Sequence, residues 1–331
     1  MVKQSNVHTT GNCAIAPKVT VVIITYNGSA TIEAAIASVL AQTMSDFELV
    51  IVDDGSTDDT FQIVSAQTDP RIRTIRHNTN SGACSAAATG MEAATAPYIA
   101  MLDDDDTVEC VWLERLHSAM TKSPDIGLAW SWSRIHFADK RPSQIAYRDR
   151  FNDNYELLIP VMLNWTPGAG GMMIRTEVVQ IIGPMDRCLW NWCDLEFTIR
   201  FANAQRWKVF VCPEVLYHYN IHDSNISGMP SLRGIESYKR LVDKHRSILS
   251  QWPNVLADYY YRIGRQSEGF ALDDADSYLR AAIRLNPTKF KYQLYWWLKK
   301  SHLLPLWEVL RMGTAVRARL KGYWRDWIVG T

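Results

Sequence analysis

Between Tyr98 and Asp106 the sequence reads Tyr-Ile-Ala-Met-Leu-Asp-Asp-Asp-Asp, an apolar run of strand length that ends in consecutive carboxylates. A core strand that delivers Asp103, Asp104, Asp105 and Asp106 at its C-terminal end concentrates negative charge within a few ångströms. Those charges repel strongly unless a cation sits among them. Carboxylate oxygens suit hard divalent ions such as Mn²⁺ or Mg²⁺, which complete their shells with water and phosphate. An acidic run is equally the composition of a solvated loop or a helix N-terminus. The segments upstream decide between these two readings.

Val19 to Thr25 is a continuous β-branched run, the mark of a strand buried on both faces. Tyr26-Asn27-Gly28 breaks it, and Ile32, Ile36, Val39 and Leu40 then recur at helical spacing to about Gln42. A second buried strand, Glu48 to Val52, also ends in acid, at Asp53-Asp54-Gly55-Ser56, where Asp53 caps the following turn. Thr57 or Asp58 can cap a helix that runs to about Ala66. Arg71 to Arg76 alternates as a third strand, 83–94 reads as a helix of small residues, and Tyr98 to Leu102 is the fourth strand. Strand–helix repetition of this kind predicts a doubly wound α/β sheet, which binds its ligands beyond the carboxyl ends of the strands. Neither G-x-G-x-x-G after the first strand nor G-x-x-x-x-G-K-[ST] anywhere is present, so a nucleotide would be held by acids and a metal.

In order, these segments are Thr-Tyr-Asn at 25–27, Ser38 to Thr43, Val-Asp-Asp-Gly-Ser-Thr-Asp-Asp-Thr at 52–60, Asn80-x-Gly82, and the run from Tyr98. Together they resemble the family 2 glycosyltransferases of the GT-A fold, over about residues 18–228. The resemblance implies a mixed α/β sheet flanked by helices, inverting chemistry and a divalent metal, Mn²⁺ or Mg²⁺. It implies a nucleotide pocket of Thr25, Tyr26 and Asn27, with the Tyr26 ring beside the base. Asp54 would accept from the base imide, which favours a UDP donor, and Asp104 would touch the ribose. Asp105 would bind the metal directly, with Asp103 nearby. One departure stands out: Ala86-Ala87-Ala88 occupies the place of the family's Ala-Arg-Asn.

Residues 111–121 read as an amphipathic helix and 126–132 as a strand, while 134–153 reads as a polar surface excursion. The glycine-dense stretch from Asn164 to Gly171 is either a close approach of backbone to ligand or a tight connection. Further on, Trp-Asn-Trp-Cys-Asp-Leu-Glu (190–196) matches the family's Glu-Asp-x-Glu segment, with Cys193 replacing the first Glu. By local sequence alone Asp194 reads first as an N-cap; the motif order reverses this, and by resemblance it is the catalytic base. Trp165, Gly170, Trp190, Trp192 and Glu196 are candidates for the acceptor side, since aromatic faces stack on sugars, although a buried Trp is commonly core. Val209 to Val211 reads as a strand. The segment from Tyr217 resembles the family's closing segment, which makes His222 the expected third metal ligand and His218 the runner-up.

The rest of the chain limits the setting. Six cysteines (Cys13, Cys84, Cys110, Cys188, Cys193, Cys212) show no zinc or disulfide-framework spacing. Residues 1–17 read as a loose leader without an apolar core, and no window approaches a membrane span of about 20 apolar residues. The expected location is cytoplasmic, with peripheral contact at the membrane's inner face. Residues 18–230 form the expected catalytic domain and 231–331 a helical C-terminal region. From Lys289 to Thr331 there are nine Lys/Arg against Glu308 and Asp326 in a chain of zero formal net charge. Leu310, Val316, Leu320, Trp324 and Trp327 keep helical spacing beside Arg317, Lys321 and Arg325. A basic amphipathic helix over 306–327 would suit an anionic membrane, or would dock on the catalytic domain with a solvated basic face.

The expected function is therefore transfer of a sugar from a nucleotide-diphosphate donor to a hydroxyl of a glycan or lipid-linked acceptor, as in surface polysaccharide synthesis, with no nucleic acid involved. A non-catalytic nucleotide- or glycan-binding relative is the alternative. A sugar nucleotidyltransferase would need a glycine-rich, basic loop after the first strand, and none is present.

Overall fold

The computed structural model describes residues 16–138, 142–146, 168–221 and 231–304. The residues up to Ile248 form one compact unit and those from Leu249 a second.

The first unit is built on a mixed sheet in the order β3-β2-β1-β4-β8-β6-β9-β5, with β7 added to β6. β1 (Val19–Thr25), β2 (Phe47–Asp53), β3 (Ile72–Arg76) and β4 (Tyr98–Asp103) are parallel. α1 (Ile32–Leu40), α2 (Thr60–Ser65) and α3 (Ala83–Ala93) connect them in turn. The continuous apolar runs are explained by burial on both faces. Val19, Val21, Ile23, Leu49, Ile51, Ala100 and Leu102 pack with α1, whereas the intervening Val22, Val50, Val52, Ile99 and Met101 pack with α3. The small residues of α3 have a steric cause: at Gly90 a Cβ would collide with Val22, so this helix lies directly on β1.

β5 (Thr107–Val108) and α4 (Trp112–Lys122) lead to β6 (Ile126–Phe137). β6 is longer than the strand expected at 126–132, and β7 (Gln144–Ala146) pairs with its end, so part of the expected polar excursion is sheet. β8 (Met173–Arg175) runs antiparallel to both β4 and β6 and makes the sheet mixed, as expected. α5 (Thr176–Ile182) and α6 (Cys193–Ala204) precede β9 (Lys208–Ile221). β9 far exceeds the three residues expected. It pairs with β6 through register shifts near Ser131 and Trp132, and then with β5. α7 (Leu232–Lys244) follows the next described residue, Ser231, which accepts from the Gly234 N–H as its cap.

The second unit contains α8 (Pro253–Gly269), α9 (Ala275–Leu285) and α10 (Phe290–Lys300). Its core gathers Ala257, Tyr261, Leu279, Ala282, Tyr292 and Tyr295, with the Tyr261 and Tyr292 rings stacked at 4.8 Å. Among the described residues no helix is long and apolar enough to cross a membrane.

Candidate active site at the carboxyl ends of the strands

Parallel pairing aligns the polar ends of β1, β2 and β4 on one edge, with Thr25 beside Asp53 and Ile24 beside Asp103. At the end of β1 the Thr25 hydroxyl donates to Asp104, which joins two of the expected nucleotide residues. Asn27 takes a left-handed conformation (φ 55°) that turns the chain sharply. Its side-chain oxygen accepts from the Thr57 N–H at 2.9 Å, and its own N–H reaches the Ser56 hydroxyl at 3.0 Å. The Tyr26 ring between them is 43% exposed, open to a flat ligand.

The two acids ending β2 divide their work. Asp53 accepts from the Ser56 N–H at 2.9 Å, as the turn-cap reading expected, and pairs with Arg76 at 3.1 Å. Asp54 departs from expectation. It is buried, and its oxygens accept from the Ser81 N–H (3.0 and 3.1 Å) and the Gly82 N–H (2.7 Å) and meet His77 Nδ1 at 2.6 Å. Here Asp54 pins the loop before α3, and its acceptor sites are turned to protein donors.

The acids ending β4 also separate. Asp106 is fully buried and accepts from the Tyr217 hydroxyl and, at 2.7 Å, from the Asn220 N–H. Burial and the neighbouring Asp105 still push its pKa up to about 8. Asn220 Nδ2 also donates to the Asp105 carbonyl at 2.8 Å, so β9 straps the acidic turn in place. Burial raises the Asp103 pKa well above the carboxylate range, and repulsion from Asp106, Asp105, Asp104 and Asp194 adds to it. Gly170 passes directly over this group: a Cβ there would collide with the Tyr217 hydroxyl and come within 2.7 Å of Asp103 Oδ2. At its described end the glycine-dense stretch therefore runs tightly against the Tyr217 and Asp103 side chains.

Asp194 is among the charges acting on Asp103, which brings the candidate base to the acidic edge. It lies in the first turn of α6, and the N-cap position belongs to Trp192, so the N-cap reading of Asp194 does not hold. Burial raises its pKa against the pull of the Leu195 N–H and its own N–H. Trp192 is left-handed (φ 67°), an unfavourable conformation for a bulky residue, and that turn sets the direction of the helix start. Its ring packs edge-on against Tyr238 at 4.8 Å, and its indole N–H is buried without a partner. Trp190 lies against Gly82, with Arg233 over its ring at 4.4 Å. Cys193, which stands at the family's Glu position, packs in the core with Cys84; hydrogen bonding to Cys84 and burial push its thiol pKa well up.

Two expectations are overturned. Glu196 is not on the acceptor side: it is fully buried and bound by Arg200 (2.8–3.0 Å), His245 (2.9 Å) and Lys244 (2.9 Å). The partners' hydrogen bonds outweigh desolvation and hold its pKa near 2. His218, the runner-up metal ligand, faces away from the acids, because alternation along β9 gives that side to Tyr217. It meets Glu109 at 2.8 Å and His136 at 3.0 Å. His222 and Trp165 lie outside the described residues, as does the segment 306–327.

Among the described residues no group of three His, Cys, Asp or Glu side chains converges as a metal shell. The donor chemistry nevertheless fits a hard divalent ion: the Asp103–Asp105 edge offers carboxylate oxygens whose mutual repulsion such an ion would relieve.

A parallel sheet with an acid-tipped fourth strand, closed by antiparallel β8, is the architecture of GT-A nucleotide-sugar enzymes. Structural comparison agrees: S. aureus TarS 1–349 in complex with UDP-GlcNAc superposes with a TM-score of 0.60 over 86% of this chain and 92% of TarS, at 16% identity. Residues 20–179, just under half of the chain, match the profile of glycosyl transferase family 2. An uncharacterized glycosyltransferase of Nostoc sp. is 32% identical over 63% of this chain and 66% of its own length. The Escherichia coli UDP-Glc:alpha-D-GlcNAc-diphosphoundecaprenol beta-1,3-glucosyltransferase WfaP is 42% identical over 27% of this chain and 35% of its own. The chain thus spans just under two thirds of the first relative and about a third of the second.

Proposed function

We propose that this chain transfers a sugar from a UDP-sugar to a hydroxyl of a glycan or lipid-linked acceptor, with inversion at the anomeric carbon. The observation that carries this reading is that the charge of Asp194 acts on Asp103, at the edge where Thr25, Tyr26 and Asp104 also lie. TarS, whose fold this chain shares, is described in complex with UDP-GlcNAc and with UDP, and WfaP by its name uses UDP-Glc and a diphosphoundecaprenol acceptor.

Tyr26 would stack on the base and Asp104 would accept from the ribose, its position fixed by Thr25. A divalent ion held by Asp103 and Asp105 would supply charge neutralisation for the diphosphate. Asp194 takes the proton of the acceptor hydroxyl as that oxygen bonds to the anomeric carbon; the bond to the diphosphate oxygen breaks on the opposite face. Its raised pKa favours this, because a base works best with a pKa near the working pH. One displacement needs no second nucleophile. The proposal gives Glu196 no part in this chemistry.

A panel of UDP-, dTDP- and GDP-sugars, assayed for hydrolysis with Mn²⁺, tests the donor; preference for a GDP-sugar would refute the uracil assignment. Asp194→Asn tests the base, and unchanged turnover would remove it from the mechanism. Nucleotide binding without any turnover in the wild type would instead favour the non-catalytic binder.

A further inference from the structure

α10 is apolar on two opposite sides. Its inner side, Tyr292, Tyr295 and Leu298, is buried in the core of the second unit. Its outer side carries Phe290, Leu294 and Trp297 at i, i+4 and i+7, which fall within about 60° of one another on a helix. Phe290 is 68% exposed, the most of any large apolar side chain described, and Trp297 is 54% exposed. A stripe built on two open aromatics, seven residues apart, is a surface that calls for a partner.

The charge beside the stripe identifies the kind of partner. Between Asn286 and Leu304 there is no Asp or Glu, while Lys289, Lys291, Lys299 and Lys300 lie in or next to the helix. Two of the acids nearby are shared, and a third is not: Asp258 pairs with both Lys289 (3.9 Å) and Lys291 (3.2 Å), Asp276 with both Arg280 (2.7 Å) and Lys300 (3.5 Å), and Glu268 with Lys299. Asp258 and Asp276 thus each face two cations with a single negative charge. From Leu249 onward the chain holds thirteen Lys/Arg against seven Asp/Glu, and the remainder holds twenty-two against twenty-eight. The positive excess belongs to the unit that bears the aromatic stripe.

We propose that the outer face of α10 docks on an anionic lipid bilayer. Phe290 and Trp297 enter the boundary between headgroups and acyl chains, and Lys289 and Lys300 meet the anionic headgroups. Eleven residues of helix span about 16 Å, half of a bilayer core of about 30 Å, so the helix lies on the membrane and does not cross it. A symmetric contact with a second copy would set the same cationic helices against each other, which the charge opposes. The inference rests on the proposed function only for its purpose, which is to bring the enzyme to a lipid-linked acceptor. Bilayer binding needs neither donor nor acceptor, so the two readings can fail separately.

Flotation of the full chain with vesicles of equal parts phosphatidylglycerol and phosphatidylcholine tests it. The wild type should float with these vesicles, release at high salt, and leave vesicles of phosphatidylcholine alone. The Phe290→Ser/Trp297→Ser variant should bind about tenfold more weakly or worse, since two aromatic anchors are lost. Its thermal midpoint should match the wild type, because both side chains are already in water. Lys300→Gln should weaken binding about fivefold. Undiminished flotation of the double variant, or equal binding to neutral vesicles, would overturn the proposal. So would the absence of flotation with a concentration-dependent mass in light scattering that the double variant abolishes, since the stripe would then serve a second copy.

Discussion

Asp194 and Glu196 stand two residues apart on α6, about 200° around the helix axis, and face opposite surroundings. Asp194 looks toward the acid-tipped end of β4, and burial raises its pKa. Glu196 looks into the protein, where His245, Arg200 and Lys244 hold its pKa near 2. Arg200 goes on to donate to the Ile182, Gly183 and Pro184 carbonyls, so the ion cluster fastens α6 to the end of α5. One helix thus carries an acid whose pKa is raised and an acid whose pKa is held down. What separates them is the charge each one faces, since desolvation pushes both pKa values up.

That contrast can be broken by substitution. The largest expected effect is Asp194→Asn, which should lower transfer by about 10³-fold while UDP binding and the thermal midpoint stay close to wild type. Calorimetry and a turnover assay on the same preparation check it. Glu196→Gln should do the reverse, keeping transfer in the folded fraction and lowering stability by about 3 kcal/mol, because three donors lose a buried charge. Urea unfolding reads that loss.

Acid sharpens the same point. The folded pKa of Glu196 lies below its ordinary value of 4.5, so its contribution is complete above pH 4.5 and is lost as pH falls from there through about 2. Over that window the wild type should lose about 3 kcal/mol that Glu196→Gln does not lose, a difference visible in unfolding midpoints measured across pH. The smallest effect is of opposite sign: Asp103→Asn removes one member of a repelling group and should raise stability by about 1 kcal/mol in metal-free buffer, a rise of a few degrees. The same variant should bind UDP-sugar less tightly in Mn²⁺, as calorimetry would show.

Much of the parallel half was legible in the sequence because its signals are local. The β-branched runs, the helix of small residues and the Asp53 turn each follow from a few neighbouring residues, and β4 ends where its acids begin. The fates of Asp54, Glu196 and His218 were not legible, because each is decided by a partner far along the chain. Ser81 and Gly82 come to Asp54 from the loop after β3, and His245 reaches Glu196 across 49 positions. His218 is turned from the acids by the pairing of β9 with β5 and β6, which no periodicity within β9 reveals. Glu196 had one usable signal: Arg200 follows it at i, i+4, the spacing of a helical ion pair.

The strap across Asp106 also has a consequence for synthesis. Tyr217 and Asn220 reach back 111 and 114 residues to hold the turn after β4. On the ribosome β1 to β4 can emerge and pair while that turn still lacks its fastening. Elongation at about 5–20 residues per second leaves the acids unclamped for at least several seconds. A nascent chain halted before Lys208 should therefore carry the parallel core but display no competent donor site, and sugar-nucleotide capture would begin only when the last long strand leaves the tunnel.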